Sequence, residues 1–312
     1  MRAFIFPGQG SQSVGMGAAL GEASRAARDV FETVDEALGQ NLARLMREGP
    51  EDELKLTENA QPAIMAHALA VFAALTKEGG VSLEKAAQFV AGHSLGEYSA
   101  LCAAGSVDLT TTAKLLKLRG KAMQAAVPVG VGAMAALLGA DLELAQKIAD
   151  AAAQGEVCTV ANDNDPSQVV ISGHKGAIER AIEMAKDMGA KRAILLPVSA
   201  PFHCPLMQPA ADAMAKALAQ TDFKAPCVPL YANVTAFPAA DPDRIRDQLV
   251  EQVIGMVRWR ESVANMAAAG VEEFVELGGK VLGPMVKRIA PDAKVTSVVA
   301  IEDIEVLAKE IA

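Results

Sequence analysis

Residues 87–104 read AQFVAGHSLGEYSALCAA. Residues 87–91, apolar except for Gln88, are typical of a short buried strand, and residues 97–104 favour a helix. Gly92 and Gly96 flank Ser94 in the turn between them. Ser94 is therefore predicted to lie at a strand-turn-helix junction, which is the context in which a Gly-x-Ser-x-Gly pattern exposes a serine hydroxyl at the edge of a sheet.

The segments around this junction predict a mainly parallel sheet flanked by helices. Residues 2–6 form an apolar strand that stops at Pro7-Gly8, and residues 23–38 and 62–75 have the spacing of helices. Segments 228–233, 243–253, 263–269 and 273–277 continue the mixture of helices and strands. Ligands usually bind beyond the carboxyl ends of parallel strands, where both Ser94 and the Gly8 turn fall.

Residues 127–198 follow a different pattern. Strands are predicted at 133–138, 157–161, 168–171 and 192–197, helices at 142–153 and 175–188, and a turn-rich hairpin connection at 162–167. The order βαββαβ is the ferredoxin-like order. We therefore expect an α/β protein with a large domain, residues 1–126 and 199–312, whose core is α/β-hydrolase-like, and a small ferredoxin-like α+β insert at 127–198.

Composition restricts the possible functions. The chain has 312 residues, 51% of them apolar, and a formal net charge of −9, which opposes general binding to nucleic acid or to an anionic membrane. Neither a signal-peptide core nor a membrane span is predicted, so the expected location is cytoplasmic. The four cysteines form no CxxC pair, which argues against a zinc site or a redox motif.

A serine nucleophile needs a base, and the chain has four histidines. His93 adjoins Ser94 and is expected to point elsewhere, while His67 and His174 lie in or beside predicted helices and favour structural roles. His203 lies between two prolines in SAPFHCP, residues 199–205, where an irregular loop can hold its ring. From the residues alone, a structural role for His203 and a helix N-cap role for Ser94 stay open.

An α/β-hydrolase and a nucleotide-binding protein match the sequence less well. An α/β-hydrolase is expected to place an acid between the serine and a late histidine and to carry an HGGG-type loop, and neither signature is present. The glycine turn FPGQGSQ, residues 6–12, lacks the lysine of a phosphate-binding loop and the third glycine of a dinucleotide fingerprint.

Five separated motifs occur together in this chain: FPGQGSQ at 6–12, GHSLGE at 92–97, Arg119 in LRG, PFH at 201–203, and Gln252 seven positions before Trp259. In this combination the chain closely resembles the malonyl-CoA:acyl-carrier-protein transacylases, acyltransferases of type II fatty-acid synthesis. The resemblance covers essentially the whole chain, including the insert.

The resemblance implies a role for each matching residue. Ser94 would attack the malonyl thioester and His203 would accept its proton, while the backbone carbonyl of Gln252 orients the imidazole. The backbone N–H groups of Gln9 and Leu95 would form the oxyanion hole. No acidic residue is needed for this Ser-His dyad, and the implied two-step exchange needs no standing cofactor.

Substrate choice is expected to depend on Arg119. Taken alone, Arg119 near Lys114, Lys117 and Lys121 resembles a solvated charged face, but the resemblance implies that its guanidinium binds the malonyl carboxylate through two hydrogen bonds. The same resemblance assigns Phe202 and Asn162 to the substrate site. Leu95 and Phe202 match the malonyl-selective members.

The expected partners are malonyl-CoA and a phosphopantetheinylated acyl carrier protein, and the expected state is a monomer. An acidic carrier protein needs a local basic patch, for which the candidates are Lys114, Lys117, Lys191, Arg192, Lys287 and Arg288. Two alternatives stay open, a thioesterase that releases the acyl group to water and a non-catalytic acyl-CoA sensor. The pathway, whether fatty-acid synthesis, polyketide synthesis or malonate decarboxylation, also stays open.

Overall fold

The computed structural model describes residues 1–311. Its strands are β1 (Arg2–Phe6), β2 (Phe89–Gly92), β3 (Gly132–Leu138), β4 (Cys158–Asp165), β5 (Gln168–His174), β6 (Arg192–Leu195), β7 (Leu230–Tyr231), β8 (Pro238–Ala239), β9 (Glu273–Leu277) and β10 (Lys294–Val298).

The helices fill most of the chain between these strands. They are α1 (Ala18–Ala23), α2 (Arg25–Leu38), α3 (Leu42–Glu48), α4 (Glu51–Lys55), α5 (Thr57–Ala73), α6 (Leu83–Ala86), α7 (Gly96–Ala103), α8 (Leu109–Ala125), α9 (Leu142–Ala153), α10 (Lys175–Ala185), α11 (Gln208–Ala219), α12 (Pro242–Ile254), α13 (Trp259–Ala268), α14 (Gly283–Ile289) and α15 (Ile301–Ile311). A π-helical turn, Ala74–Glu78, follows α5, and a 3-10 turn, Pro205–Met207, precedes α11.

The larger sheet has six strands in the order β10-β9-β1-β2-β7-β8. All neighbours are parallel except the edge pair β7 and β8. Phe6 at the end of β1 lies opposite Gly92 at the end of β2, so the Gly8 turn and the Ser94 turn leave the same edge of the sheet. The mainly parallel sheet predicted from the sequence is confirmed.

Both faces of this sheet are buried because its strands carry apolar residues on both sides. Phe4 and Phe6 belong to a core that includes residues of α2, α5, α7 and α8, whereas Ala3 and Ile5 belong to a second core with residues of α13 and α14. The sheet is thus a middle layer between two layers of helices, and its carboxyl edge is left accessible from the loops.

The smaller sheet has four antiparallel strands in the order β4-β5-β3-β6. One face, which includes Leu137 and Ile171, packs on α9 and α10, and the other face, which includes Met134 and Val170, joins the main core. The chain order β3-α9-β4-β5-α10-β6 agrees with the predicted sequence of elements.

The predicted connection at 162–167 is wrong for most of its length. Strand β4 continues through Asp165, and Pro166 and Ser167 alone separate it from β5. The polar run is a strand because its carboxylates face cations: Asp163 pairs with Arg260 at 2.8 Å and Asp165 with Arg288 at 2.8 Å. These ion pairs link the small sheet to α13 and α14.

Smaller differences concern element ends. Helix α5 begins at Thr57, ahead of Pro62, while β6 ends at Leu195 and β7 has two residues. Among the helices of residues 1–311, none is both long and apolar enough to cross a membrane. The four cysteines are free thiols.

Candidate active site

The turn that carries Ser94 is tight. Ser94 itself has a φ of +53°, in the left-handed region that side chains rarely adopt. The turn comes so close to itself and to β1 that a Cβ added at Gly92 would collide with the carbonyl of Gly96, and one added at Gly96 with the carbonyl of Phe6. Glycine is therefore required on both sides of the serine.

Asn233 stabilises this turn through two hydrogen bonds. Its Oδ1 accepts a hydrogen bond from the backbone N–H of Ser94 at 2.8 Å, and its Nδ2 donates to the carbonyl of Gly92 at 2.7 Å. The side chain is buried, with 1% of its surface exposed. We did not predict Asn233 from the sequence, because no motif or spacing connects it to Ser94 across 139 positions.

Ser94 and His203 form a hydrogen-bonded pair. The Oγ of Ser94 lies 2.8 Å from Nε2 of His203, and Nδ1 of His203 lies 2.8 Å from the backbone carbonyl of Gln252. A carbonyl can only accept, so Nδ1 carries the proton of the neutral ring and Nε2 presents its lone pair to the serine. Burial, and secondarily the charge of Arg119, lowers the pKa of His203 to about 3, which keeps the imidazole neutral.

Arg119 lies beside this pair and is 1% exposed. Its Nη2 donates to Ser94 Oγ at 3.2 Å and to Gln252 Oε1 at 2.9 Å, and its Nη1 donates to Gln61 Oε1 at 2.8 Å. Within the described chain it forms no ion pair, and its Nε has no hydrogen-bond partner. Burial lowers the pKa of Arg119. The solvated-face interpretation is wrong for this residue, and Gln61 is a second site residue that we did not predict.

The backbone around Arg119 explains its burial. The next residue, Gly120, packs so closely on the start of α5 that an added Cβ would lie 2.6 Å from the Cα of Glu58. Helix α8 is therefore pressed onto α5, and the side chain of Arg119 is enclosed between α5 and the Ser94 turn.

A cavity of about 340 Å³ contains the predicted site. Its walls include Gln9, Ser94, Leu95, Arg119, Asn162, Phe202 and His203 from the prediction, together with Met134 and residues 196–198 of the small-sheet segment. Gln252 is fully buried behind His203. The structure thus brings all eight predicted residues to one place.

The two backbone groups expected to stabilise an oxyanion are free to do so. Neither the N–H of Gln9 nor the N–H of Leu95 donates a hydrogen bond to any residue between 1 and 311. The turns that carry them are in close contact, since a Cβ added at Gly8 would lie 2.6 Å from the carbonyl of His93. Leu95 is the N-cap residue of α7, and the next two N–H groups, of Gly96 and Glu97, donate to the carbonyls of His93 and Ser94.

The other histidines have structural partners. The Nε2 of His93 lies 2.8 Å from Asn164 Oδ1 on β4, Nδ1 of His67 lies 3.1 Å from the carbonyl of Gly278, and Nδ1 of His174 accepts from the N–H of Val157 at 2.9 Å. Over residues 1–311 there is no group of three or more His, Cys, Asp or Glu side chains that could hold a metal ion.

Half of the basic residues considered for docking are occupied. Arg288 pairs with Asp165, Lys287 donates to the carbonyl of Ala293 at 2.6 Å, and Lys117 binds Gln40 and Asn59. Lys287 and Arg288 are nevertheless exposed, and the exposed members that have no such partner among residues 1–311 are Lys114, Lys191 and Arg192.

The acyl transferase domain family model matches residues 3–282. The chain belongs to this acyl transferase family. The malonyl CoA-acyl carrier protein transacylase of Escherichia coli (strain K12) is 48% identical over 288 residues, which cover 92% of each chain. The protein of the same name from Bacillus subtilis (strain 168) is 44% identical over 305 residues, covering 97% of this chain and 95% of the relative.

Solved structures agree with this assignment. The acyl-carrier-protein-S-malonyltransferase from Bartonella henselae superposes on this acyl transferase with a TM-score of 0.97, at 52% identity and with 99% of each chain covered. A type II PKS acyl-carrier protein in complex with its malonyl-transacylase matches with a TM-score of 0.95, at 40% identity and 99% coverage of each chain. The acyltransferase and the family expected from the sequence are confirmed.

Proposed function

We propose that this acyl transferase moves the malonyl group from malonyl-CoA to the phosphopantetheine thiol of an acyl carrier protein, in a ping-pong reaction through a malonyl-Ser94 ester that supplies fatty-acid elongation. The observation that carries the proposal is Arg119, a buried cation that forms no ion pair with a carboxylate among residues 1–311 and lies 3.2 Å from the Oγ of Ser94. The names of the relatives support the substrate, and the carrier-protein complex of one neighbour supports the partner.

The first half-reaction begins with Ser94. Its Oγ attacks the thioester carbonyl carbon while its proton passes to Nε2 of His203, which is neutral and already in hydrogen-bond contact. The carbonyl oxygen becomes an oxyanion, which accepts hydrogen bonds from the N–H groups of Gln9 and Leu95. One such donor is worth roughly 3 to 4 kcal/mol in comparable enzymes.

Collapse of this intermediate breaks the carbon–sulfur bond. The CoA sulfur takes the proton from His203, CoA leaves, and the malonyl group stays on Ser94. In the second half-reaction the carrier-protein thiol gives its proton to Nε2 of His203 and attacks the ester carbonyl carbon. The bond between that carbon and Oγ of Ser94 then breaks, and Oγ takes the proton back from Nε2 of His203. The carbonyl of Gln252 keeps Nδ1 protonated throughout and fixes the ring.

Specificity follows from the second carboxyl group of malonate. A guanidinium binds a carboxylate through two parallel hydrogen bonds, and a buried one without an anion is poorly satisfied. Acetyl groups and longer acyl chains leave Arg119 in that state. Phe202 and Asn162 line the same cavity and contact the acyl or pantetheine portion in this proposal.

Mixing the enzyme with malonyl-CoA alone and measuring intact mass tests the proposal. We expect a malonyl adduct that Ser94→Ala abolishes, and transfer of the group when carrier protein is added. Release of free malonate without transfer would favour the thioesterase alternative. Tight binding of malonyl-CoA with no adduct would favour the acyl-CoA sensor.

We further propose an α/β-hydrolase-like core for residues 1–126 and 199–312, of which residue 312 lies outside the described residues, and a ferredoxin-like fold for 127–198. The separate apolar core beneath the small sheet supports this division. A monomeric state, a cytoplasmic location, the lack of nucleic-acid binding and the lack of a standing cofactor stay predictions.

A further inference from the structure

Glu97 is a buried carboxyl group that the reaction described above does not use. It follows Gly96 in the first turn of α7, and 1% of its surface is exposed. Its Oε2 accepts a hydrogen bond from Nε2 of Gln252 at 2.6 Å and a longer one from the backbone N–H of Asn233 at 3.3 Å. Asn233 binds the Ser94 turn, and Gln252 binds both that turn and Arg119.

The side-chain amide of Gln252 lies between two kinds of neighbour. On one side are two acceptors, because its Nε2 donates to Glu97 Oε2 and, at 2.9 Å, to the carbonyl of Ser94. Its Oε1 accepts from Nη2 of Arg119 at 2.9 Å, which is a donor. Rotating the amide by half a turn would place its NH2 group against the guanidinium and its oxygen against two oxygens.

Glu97 accepts the shortest of the three hydrogen bonds that Nε2 of Gln252 donates, since the third, to Asn233 Oδ1, measures 3.5 Å. The correct end of the amide then faces Arg119, and the guanidinium is held between Gln61 and Gln252 with its remaining N–H groups available.

We propose that Glu97 is a positioning residue for substrate selection: by orienting the amide of Gln252 it holds Arg119 where the carboxylate of the acyl group binds. This inference rests on the proposed malonyl transfer. Glu97 does not touch the substrate, and its effect reaches the reaction through Gln252.

Burial disfavours the ionised form of this carboxyl group, so an apolar side chain would fill the same space at a lower cost in free energy. Burial raises the pKa of Glu97 to about 7, against the opposing hydrogen bonds of Gln252 and Asn233 and the charge of Arg119. An oxygen at this position accepts from Gln252 whether the carboxyl is ionised or protonated on its other oxygen. A glutamine at position 97 supplies such an oxygen, whereas a methionine of similar length does not.

The test compares Glu97→Met with Glu97→Gln. The measured quantities are kcat/KM for acylation of Ser94 by malonyl-CoA and by acetyl-CoA, obtained from intact mass after rapid quenching. We expect Glu97→Met to lower the malonyl-to-acetyl ratio at least tenfold and Glu97→Gln to recover most of it. Ser99→Ala is the matched control and keeps the wild-type ratio, because it changes a buried hydroxyl on the same helix that has no hydrogen-bond partner in the described part of the chain.

Two outcomes would overturn the inference: equal losses with both acyl-CoA substrates in Glu97→Met, or a Glu97→Gln ratio as low as that of Glu97→Met. If Glu97→Met does not fold, as judged by circular dichroism, Gln252→Met replaces it, and an unchanged acyl preference in that variant also refutes the inference. A wild-type enzyme that forms no malonyl adduct would instead refute the proposed function.

Discussion

Replacing Arg119 with methionine tests the proposed carboxylate site. The change removes the guanidinium and keeps an unbranched chain in a position that is 1% exposed. A hydrogen bond to a charged group contributes about 1.5 to 3 kcal/mol, so losing two from the malonyl carboxylate costs about 3 to 6 kcal/mol. At 1.36 kcal/mol per tenfold change in rate, kcat/KM for malonyl-CoA falls by roughly two to four powers of ten.

Acetyl-CoA provides the internal comparison, because its acyl group has no carboxylate to lose. Single-turnover acylation of Ser94 is measured by intact mass with each substrate, and acetyl transfer is expected to change by less than about fivefold. Lys121→Met is the matched control, since Lys121 is an exposed cation on the same helix. Folding of each variant is checked by its thermal melting curve.

Equal losses with malonyl-CoA and acetyl-CoA in Arg119→Met would refute the reasoning. Such a result would mean that Arg119 supports the geometry of Ser94, with which it shares a hydrogen bond at 3.2 Å, and does not select the substrate. An unchanged malonyl rate would refute it as well.

Three further predictions follow from the same contacts. The pKa of His203 is held at about 3, below its ordinary 6.5, so the ring stays able to accept a proton as pH falls. We therefore expect kcat/KM for Ser94 acylation to stay level from about pH 8 to about pH 5, and a loss centred near pH 6.5 would contradict this. Gly96→Ala should abolish acylation and lower the melting temperature because its Cβ meets the carbonyl of Phe6. Gly21→Ala in α1, whose Cβ would make only ordinary van der Waals contact with the Phe31 ring at 3.5 Å, should leave both intact; an active Gly96→Ala enzyme would be inconsistent with the tight turn. Arg288→Ala removes the half-exposed cation that pairs with the buried Asp165, which keeps its hydrogen bonds from Ser167. It should lower the free energy of unfolding in urea by about 1.5 to 3 kcal/mol, against less than about 1 kcal/mol for Arg44→Ala in an exposed pair; similar losses in the two variants would argue against this account.

The sequence predicts the sheet and the reactive pair because their signals are local or come from separated motifs. The apolar strands, the glycines around Ser94 and the prolines around His203 are each readable within a few residues. The strand end at Asp165 is different. In sequence, the polar residues 162–165 are typical of a turn. They form a strand because Asp163 and Asp165 contact Arg260 and Arg288, which lie 97 and 123 positions further along the chain.

Gln61, Glu97 and Asn233 show the same limit within the site. Each is an ordinary polar residue in sequence, and each acquires its role from burial and from partners on other elements. Glu97 even falls inside the quoted GHSLGE motif, yet its contact with Gln252 spans 155 positions. Hydrogen-bond partners at that separation depend on tertiary packing, which periodicity and turn chemistry do not describe.

Delivery of the acyl group from an isolated acyl-enzyme tests the central claim most directly. The malonyl adduct is formed with malonyl-CoA, separated from CoA, mapped to its residue by peptide mass spectrometry and then mixed with phosphopantetheinylated carrier protein. We predict that the adduct lies on Ser94 and that most of the malonyl group appears on the carrier-protein thiol. An adduct on another residue, or malonyl released as free malonate while the carrier protein stays unmodified, would contradict the account.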